Sequence, residues 1–313
     1  MTYNHAAYIR QAIEGVLMQN VKFSWDFIIA DDHSTDGTRE ILLEYKQKYP
    51  DLITLILQKE NVGAAQNWMD LIATPKGKYV AYFEGDDYWC DQSKLQKQID
   101  FLESNHDYSI CFHQVYELTD DGKMQLSPLN TSEEEETYSI LDLAKNNFIH
   151  TPSVVFRNDL KREFPLWFKN SPVGDYALHM LNAKHGLIKY MPQPMAVYRR
   201  HGSSSWSSLL PVKKMEKWLL LLDYLSKETF EPEVHKILVE QKRRCKEKYL
   251  KMLMKDSDWN TFLQKLSEFS DEDTYISKKW LLEYYPQYIQ SLKASGAYRF
   301  AQTIRSYKKK FIK

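Results

Sequence analysis

Four residues that follow a short apolar run carry the strongest chemical signal in this sequence. Residues 84–87 read Glu-Gly-Asp-Asp and come directly after the apolar run at residues 79–83. Carboxylates at the point where a buried strand ends are costly unless a positive partner meets them. Hard carboxylate oxygens suit Mg²⁺ or Mn²⁺, and these ions commonly bridge to phosphates. The pattern therefore predicts a divalent cation site for a phosphate-bearing ligand.

A second acidic cluster follows another apolar run. Residues 31–38 read Asp-Asp-His-Ser-Thr-Asp-Gly-Thr and come directly after residues 27–30, which are Phe-Ile-Ile-Ala. When two strands of one sheet both end in acids, the two clusters meet at the same edge of that sheet. We therefore expect a single shared site rather than two.

Apolar runs alternate with helical patterns through the first 120 residues. Residues 6–20, 38–48, 64–72 and 93–103 have the spacing of helices, and residues 23–30, 52–57, 79–83 and 108–117 that of strands. The alternation predicts an α/β fold with a Rossmann-like, mostly parallel sheet between helices. Residues 120–137 are predicted to form a solvated loop.

The formal net charge is zero, but the two parts of the chain differ. Residues 1–205 carry 20 Lys and Arg against 28 Asp and Glu, and residues 206–313 carry 22 against 14. We predict one domain over residues 1–205 and a helical region over 206–313 whose basic surface meets an anionic partner. Solvated lysines on helices are an equally good explanation. The three cysteines are too few and too scattered for a disulfide framework or a zinc site.

The order and spacing of six short motifs resemble the inverting family 2 glycosyltransferases, which have the GT-A fold. The motifs lie at residues 2–4, 30–38, 61–63, 84–87, 173–176 and 198–203; residues 8–9 and 12–13 follow the first motif and Asn67 follows the third. The resemblance covers roughly the first 200 residues and implies a nucleotide-sugar donor, most simply a UDP-sugar. The resemblance implies that Tyr3 lies against the base of the nucleotide and that Asp32 accepts a hydrogen bond from uracil. The full set of implied nucleotide-binding residues is Thr2, Tyr3, Asn4, Asp31, Asp32, Asn61, Gly63, Glu84 and Gly85.

The resemblance also implies a cation and its ligands. Asp86 matches the metal-binding acid of the family's D-x-D motif, and Glu84 stands where the family usually has Asp. His201 is implied as a further ligand or diphosphate contact, although a structural histidine is the alternative. The bound Mn²⁺ or Mg²⁺ acts as a Lewis acid that offsets charge on the leaving diphosphate.

Four further residues are implied as contacts of the diphosphate or the acceptor: Asp87, Trp89, Arg199 and Arg200. An arginine fork suits a phosphate because it binds bidentately. Two alternatives remain open, since Asp87 also suits a turn or helix N-cap and Trp89 also suits packing.

Asp175 is the implied catalytic residue. The segment 173–176 reads Val-Gly-Asp-Tyr and resembles the family's E-D segment at a helix start. As a general base, Asp175 takes the proton of the acceptor hydroxyl while that hydroxyl attacks the anomeric carbon. The alternative is that Asp175 only caps the helix that follows.

One departure from the family concerns the amino-terminal end. The family begins with an apolar strand ahead of Thr-Tyr-Asn, whereas this sequence starts at Met1. That strand is central in the sheet, so we expect an unpaired slot beside its neighbours.

The resulting prediction is an inverting, metal-dependent hexosyltransferase that uses a nucleotide sugar. The expected acceptor is a surface polysaccharide or a lipid-linked oligosaccharide, and no nucleic acid partner is expected. We expect a cytoplasmic location, with the basic residues 308–313 at the inner face of the plasma membrane; a solvated tail or a homodimer through the helices remains open. The alternative functions are a nucleotidyltransferase, which would need a Gly-rich phosphate loop near the amino terminus, and a non-catalytic nucleotide-sugar-binding protein.

Overall fold

The computed structural model describes residues 1–158, 164–202, 206–255 and 259–272. Within these, the elements follow one another as α1 Ile9–Leu17, β1 Phe27–Asp31, α2 Thr38–Lys48, β2 Ile53–Leu57, α3 Ala64–Ile72, β3 Tyr79–Ala81, β4 Tyr88–Trp89, α4 Lys94–Ser104, β5 Tyr108–Thr119, β6 Met124–Leu126, β7 Glu136–Tyr138, α5 Ile140–Leu143, β8 Val155–Arg157, α6 Gly174–Ala183, β9 Leu187–Arg200, α7 Pro211–Leu225, α8 Pro232–Lys255 and α9 Trp259–Glu272.

The strands form a small sheet and a large one. In the small sheet β1 and β2 run parallel, with Phe27 opposite Ile53 and Asp31 opposite Leu57. The large sheet has the strand order β3-β8-β5-β9-β4, with β6 added beside β5 and β7 beside β9. Its longest pairing joins β5 to β9 in parallel, while its other pairings are antiparallel.

The predicted α/β class is confirmed, and two details of the prediction are corrected. The sheet is mixed rather than mostly parallel, because the large sheet combines one parallel pairing with several antiparallel ones. The segment 120–137 is not only a loop, since β6 and the start of β7 lie in it. Its polar sequence gave no strand signal because all three β6 residues are exposed on an edge strand.

Apolar helix faces cover the strands and form the core near the predicted site. Ile9, Ala12 and Ile13 of α1 pack with Ile29, Leu42 and Ile53, so α1 closes over β1, α2 and β2. Further along α1, Val16 packs with Trp89, Leu95 and Leu102. The first helix therefore belongs to the apolar clusters of both sheets, which fixes the loop before it, residues 2–8, against the strand ends.

The close packing of α1 on β4 depends on a glycine. A Cβ at Gly15 would lie 2.7 Å from the carbonyl oxygen of Trp89 and 2.9 Å from its amide nitrogen. We expect Gly15→Ala to lower the free energy of unfolding by about 2 kcal/mol, because backbone atoms must move apart. In an exposed helix the same change is stabilising by about 1 kcal/mol. Denaturant unfolding of the unsubstituted protein and of Gly15→Ala measures the sign of the change in the free energy of unfolding. A more stable variant would contradict this packing.

The described residues form two compact units. One consists of Met1–Leu209 and Leu220–Gln241, and the other of Leu210–Leu219 and the described residues that follow Gln241. The second has its own apolar cluster, which includes Met215, Tyr249, Leu253 and Phe262. The domain boundary at 205/206 stays a prediction, although residues 220–241 fall in the unit that also holds the strands. The basic residues 308–313 lie outside the described residues. Across the described part of the chain, each helix is too short or too polar to cross a bilayer.

Candidate functional site

The ends of β1 and β3 meet through the first two residues of the chain. The amide of Thr2 donates to the carbonyl of Ala30 at 2.8 Å, and the amide of Gly85 donates to the carbonyl of Met1 at 2.8 Å. A Cβ at Gly85 would lie 2.9 Å from both the Thr2 hydroxyl oxygen and Cδ1 of Ile9. The two acidic clusters therefore lie at one common edge, where β1 of the small sheet and β3 of the large sheet end, and the glycine between Glu84 and Asp86 allows that close approach.

Three carboxylates converge at this edge. One oxygen from each of Glu84, Asp86 and Asp87 lies within 4.8 Å of the others. Asp86 and Asp87 are buried, yet Oδ1 of Asp86 and Oδ2 of Asp87 have no hydrogen-bond partner. Burial, followed by the charges of Asp86 and Asp175, raises the pKa of Glu84 to about 8. Burial, followed by the charges of Asp86 and Glu84, raises the pKa of Asp87 well above its usual range. Both shifts arise first from burial and then from the neighbouring negative charges.

Two histidines face the central carboxylate. Nε2 of His201 lies 2.9 Å from Oδ2 of Asp86, and Nε2 of His5 lies 3.9 Å from the same oxygen. The ring of Tyr8 is tilted by 40° against that of His201, with centroids 4.9 Å apart, and meets His5 edge-on at 6.3 Å. Burial lowers the pKa of His5, which favours the neutral imidazole that can coordinate a cation. His201 thus lies beside Asp86, and His5 joins the pair from the loop before α1.

Arg199 ties the end of β9 to the acidic loop. Its amide donates to Oδ1 of Asp87 at 2.8 Å, and its guanidinium donates to the carbonyl of Asp86 and to Gln11. The guanidinium carbon lies 5.0 Å from the centre of the Tyr8 ring and 4.6 Å from that of Tyr88. Arg199 therefore holds the loop that carries the carboxylates, and its positive charge lies close to them.

Asp175 lies in the first turn of α6, and its charge acts on Glu84 of this cluster. Burial raises the pKa of Asp175, and Nδ2 of Asn147 approaches its Oδ2 at 3.4 Å. Its charge is among the causes that raise the pKa of Glu84 and, after burial, that of the Tyr82 phenol. The Tyr82 hydroxyl is buried without a hydrogen-bond partner. The structure thus places Asp175 within electrostatic reach of the acidic loop, although 88 or more residues separate them in sequence.

The first acidic cluster is mostly engaged by its own loop. Oδ2 of Asp31 accepts from Nε of Arg39 at 2.7 Å, and its Oδ1 accepts from the Ser34 hydroxyl at 2.5 Å. Oδ1 of Asp32 accepts from the amide of Val62 at 2.8 Å. Asp31 is therefore saturated by structural contacts and holds the loop, whereas Asp32 links this loop to residues 61–63.

The other predicted nucleotide contacts lie around the same loops. Tyr3 is 44 % exposed, which leaves its ring open to a ligand. Asn4 has φ +53° and accepts from the amide of Thr35 at 2.9 Å. Oδ1 of Asn61 accepts from the amide of Gly63 at 3.2 Å, and Gly63 has φ +85°, a conformation that favours glycine.

Two predicted diphosphate or acceptor contacts lie elsewhere. Trp89 is 4 % exposed, and its indole N–H donates to the carbonyl of Pro152 at 3.0 Å. The predicted ligand contact of Trp89 does not fit this position, because the ring is part of the core. Nη1 of Arg200 donates to Oε2 of Glu117 at 3.1 Å. Arg200 is therefore the sequence neighbour of His201, which contacts Asp86. The side chain of Arg200 itself is held by Glu117 of β5.

The sequence model described as glycosyl transferase family 2 matches residues 1–164, which is more than half of the chain. The chain belongs to this family of glycosyltransferases.

Curated relatives of this family member match about two thirds of the chain. The chain is 38% identical over 210 residues to an uncharacterised protein of Mycobacterium tuberculosis. This match covers 66% of the chain and 59% of the mycobacterial protein. It is 30% identical over 210 residues to TuaG of Bacillus subtilis, named for glycosyl transfer in teichuronic acid biosynthesis, covering 67% of this chain and 69% of that one. The chain spans about three fifths of the length of the mycobacterial relatives that it matches.

Solved structures agree on the fold of this glycosyltransferase. Residues 1–349 of TarS from S. aureus, in complex with UDP-GlcNAc, give a TM-score of 0.56 at 18% identity over 93% of this chain and 77% of that one. The mannosyltransferase PcManGT from Pyrobaculum calidifontis, in complex with GDP-Man and Mn²⁺, gives 0.56 at 16% identity over 97% and 82%. At these identities the likeness establishes the GT-A fold.

The residues present in this glycosyltransferase fit a divalent cation. Asp86 and Asp87 each keep one buried carboxylate oxygen without a partner, and burying such an oxygen is costly unless something positive meets it. Carboxylate oxygens with an added imidazole form a donor set that Mn²⁺ and Mg²⁺ accept. The donors that would hold the ion are Asp86, Asp87, Glu84 and His201.

Three residues of this site were not among those predicted for it: His5, Tyr8 and Tyr82. Tyr82 reads as an apolar strand residue, and the loop that bears His5 gives no ligand pattern. Only Tyr8 carried a signal, as part of the resemblance. Their positions follow from how α1 and β9 meet, which local sequence does not encode.

The stability of the cation-free protein is expected to depend on pH because of Glu84. Its pKa is about 8 in the fold and near 4.5 otherwise, so the folded state binds more protons between these values. The free energy of unfolding therefore falls as pH rises from about 4.5 to about 8. Thermal unfolding in EDTA should show this fall, and added Mn²⁺ should reduce it. In Glu84→Gln the profile in EDTA should be flatter; identical profiles for both proteins would contradict the shift.

Proposed function

We propose that this chain transfers a hexose from a nucleotide sugar, most simply a UDP-sugar, to a saccharide acceptor with inversion at the anomeric carbon. The observation that carries the proposal is the convergence of Glu84, Asp86 and Asp87, two of them with buried oxygens that lack a partner, within electrostatic reach of Asp175. A cation site beside a carboxylate of raised pKa suits a reaction in which a diphosphate leaves while a hydroxyl is deprotonated.

The donor is expected to lie along the sheet edge. Exposed Tyr3 offers a ring face to the base, and Asp32 and residues 61–63 form the loop beside it. The diphosphate then lies toward Asp86, Asp87 and His201. When bound, the cation neutralises charge on the diphosphate oxygens. Arg199 holds the loop of these carboxylates in place through the contacts described above.

The transfer step requires one base. The carboxylate of Asp175 takes the proton of the acceptor hydroxyl, and that oxygen forms a bond to the anomeric carbon. The bond from this carbon to the diphosphate oxygen breaks, and its electron pair leaves with the nucleoside diphosphate. Burial raises the pKa of Asp175, which makes its carboxylate a stronger base than an exposed aspartate. Because the base must be ionised, transfer is expected to decline as pH falls through this raised pKa.

The proposed acceptor is a surface polysaccharide or a lipid-linked oligosaccharide. The name of the similar TuaG supports an acceptor of the cell envelope. The cytoplasmic location and the contact with the inner face of the plasma membrane remain parts of this proposal, as does a homodimer.

Release of nucleoside diphosphate from a panel of nucleotide sugars tests the proposal. UDP-GlcNAc, UDP-glucose and GDP-mannose would each be incubated with the full chain in Mn²⁺, in Mg²⁺ and in EDTA. We expect cation-dependent release, and isothermal titration should show tighter donor binding with the cation. The proposal fails if none of the donors binds and the cations have no effect. Incorporation of label from a nucleoside triphosphate into a sugar phosphate would instead support a nucleotidyltransferase.

A further inference from the structure

One buried hydroxyl beside the candidate site has no partner within the described part of the chain. Tyr82 is 8 % exposed, and its phenol oxygen is buried without a hydrogen bond. A buried hydroxyl in this state destabilises the fold, because it has given up its hydrogen bonds to water. Folded proteins keep few such groups, and one beside a site indicates a partner that binds there. A ligand that accepts from this phenol would remove the cost.

Tyr82 lies on the face of the large sheet that is opposite the cluster around Trp89. Val80 of β3 is paired with Phe156 of β8, so both side chains point to one face. Tyr82 is two residues beyond Val80 and points to the same face, where its ring meets that of Phe156 edge-on at 6.2 Å. Phe83 points the other way and packs on Trp89, with ring centroids 4.9 Å apart. The sheet thus fixes the direction of the Tyr82 side chain.

Two carboxylates act on this hydroxyl from different elements. After burial, the charges of Asp175 and then Glu84 raise the pKa of the Tyr82 phenol well above its usual range. Asp175 comes from the first turn of α6, and Glu84 comes from the acidic loop, residues 84–87. The hydroxyl donates to neither carboxylate, since it makes no hydrogen bond to any described residue. A donor that both charges reach, and that neither accepts, is available to a third group.

The surroundings of the hydroxyl indicate the chemistry of this third group. An anion is disfavoured there, because Asp175 must be ionised to act as the base and like charges repel. A sugar hydroxyl is neutral, and it can accept from the phenol while it donates its own proton to a carboxylate. In the proposed reaction the diphosphate meets the cation and the acceptor hydroxyl meets Asp175. The group that lies between these two is the hexose.

We propose that the Tyr82 hydroxyl donates a hydrogen bond to a hydroxyl of the transferred hexose, and so contributes to the recognition and orientation of the donor sugar. The inference rests on the proposed function and adds a residue to it. The hydrogen bond holds the hexose with its anomeric carbon between the leaving diphosphate and the acceptor oxygen. It also explains a tyrosine at a buried position where packing alone requires no hydroxyl.

Tyr82→Phe tests the proposal, because it removes the hydroxyl and keeps the ring on Phe156. The matched control is Tyr45→Phe on α2, since Tyr45 is 5 % exposed and its hydroxyl donates to Oε1 of Glu14 at 2.5 Å. Thermal unfolding in EDTA measures the stability of each protein. Isothermal titration in Mn²⁺ compares UDP with UDP-GlcNAc and UDP-glucose, and GDP with GDP-mannose, so that the members of each pair differ only in the sugar.

We expect Tyr82→Phe to leave Tm unchanged or to raise it, because the lost hydroxyl has no partner, whereas Tyr45→Phe should lower Tm. For the nucleotide sugar that the unsubstituted protein binds most tightly, Tyr82→Phe should raise Kd about tenfold. The Kd of the matching UDP or GDP should stay the same. Tyr45→Phe should change neither Kd, because its hydroxyl lies on α2 and bonds to α1.

An unchanged Kd of the nucleotide sugar in Tyr82→Phe would overturn the proposal. An equal rise of Kd for the nucleotide sugar and for UDP or GDP alone would also overturn it, since the effect would then lie on the nucleotide or on the fold. A lower Tm in EDTA would contradict the unpartnered hydroxyl from which the inference starts. Failure of the proposed function gives a different result: the unsubstituted protein itself would bind none of these nucleotides, and the inference would fall with it.

Discussion

Replacing Asp86 by Ala is expected to lower the affinity for a nucleotide-sugar donor in Mn²⁺ by about 100-fold, which corresponds to about 3 kcal/mol. Asp86 is central among the three clustered carboxylates, and it is the one that Nε2 of His201 approaches at 2.9 Å. Without it, the proposed cation loses its best-placed ligand and the diphosphate loses the positive charge that offsets its own. Isothermal titration of UDP-GlcNAc, with and without Mn²⁺, measures the change.

The controls for this result separate lost cation binding from lost structure. Asp51 is an exposed carboxylate in the turn between α2 and β2, so Asp51→Ala should bind the donor normally. Electron paramagnetic resonance of free Mn²⁺ measures cation binding to Asp86→Ala directly. In EDTA the two variants should bind the donor equally weakly. If Asp86→Ala retained normal Mn²⁺ affinity, the assignment of the cation to this cluster would be wrong.

Asp175→Asn is expected to reduce transfer by at least about 100-fold while donor binding remains. The substitution keeps the shape of the side chain and its contact with Asn147, but the amide cannot take the proton of the acceptor hydroxyl. The loss should therefore lie in kcat, with a donor Kd close to that of the unsubstituted protein. Initial rates at saturating donor, beside titration of UDP-GlcNAc, measure the two quantities separately.

The same substitution tests the alternative role of Asp175. Val173 is the N-cap of α6 and Asp175 lies in its first turn, where losing a negative charge costs at most about 1 kcal/mol, so a residue that only stabilises the helix start would leave transfer intact. Unchanged Tm together with lost transfer supports the base, whereas normal turnover would leave Asp175 as a structural residue. A matched variant is Asn147→Ala, which removes the neighbour that approaches Asp175 Oδ2 and should lower transfer far less.

The sequence was sufficient for the α/β class and for the positions of most early elements. The predicted helices at 38–48 and 64–72 coincide with α2 and α3, because their apolar spacing and glycine-preceded starts are local features. The same patterns did not reveal that β3, β5 and β8 pair antiparallel, because strand direction depends on connections made far along the chain. The short edge strand β6 was also missed, since three exposed residues are too few to give a strand pattern.

For the site, the sequence by itself determined the chemical types: acids at two strand ends, a distant aspartate at a helix start and a histidine after a long strand. It also determined the family, because motif order and spacing survive where most other residues differ. Only the tertiary structure decided which of these groups share one electrostatic environment. It put Trp89 into the core, saturated Asp31 with Arg39 and Ser34, and brought His5 and Tyr82 to the acidic loop. The physical reason is that burial and proximity arise when β1, β3, α1 and β9 pack together, and no local stretch of sequence specifies that packing.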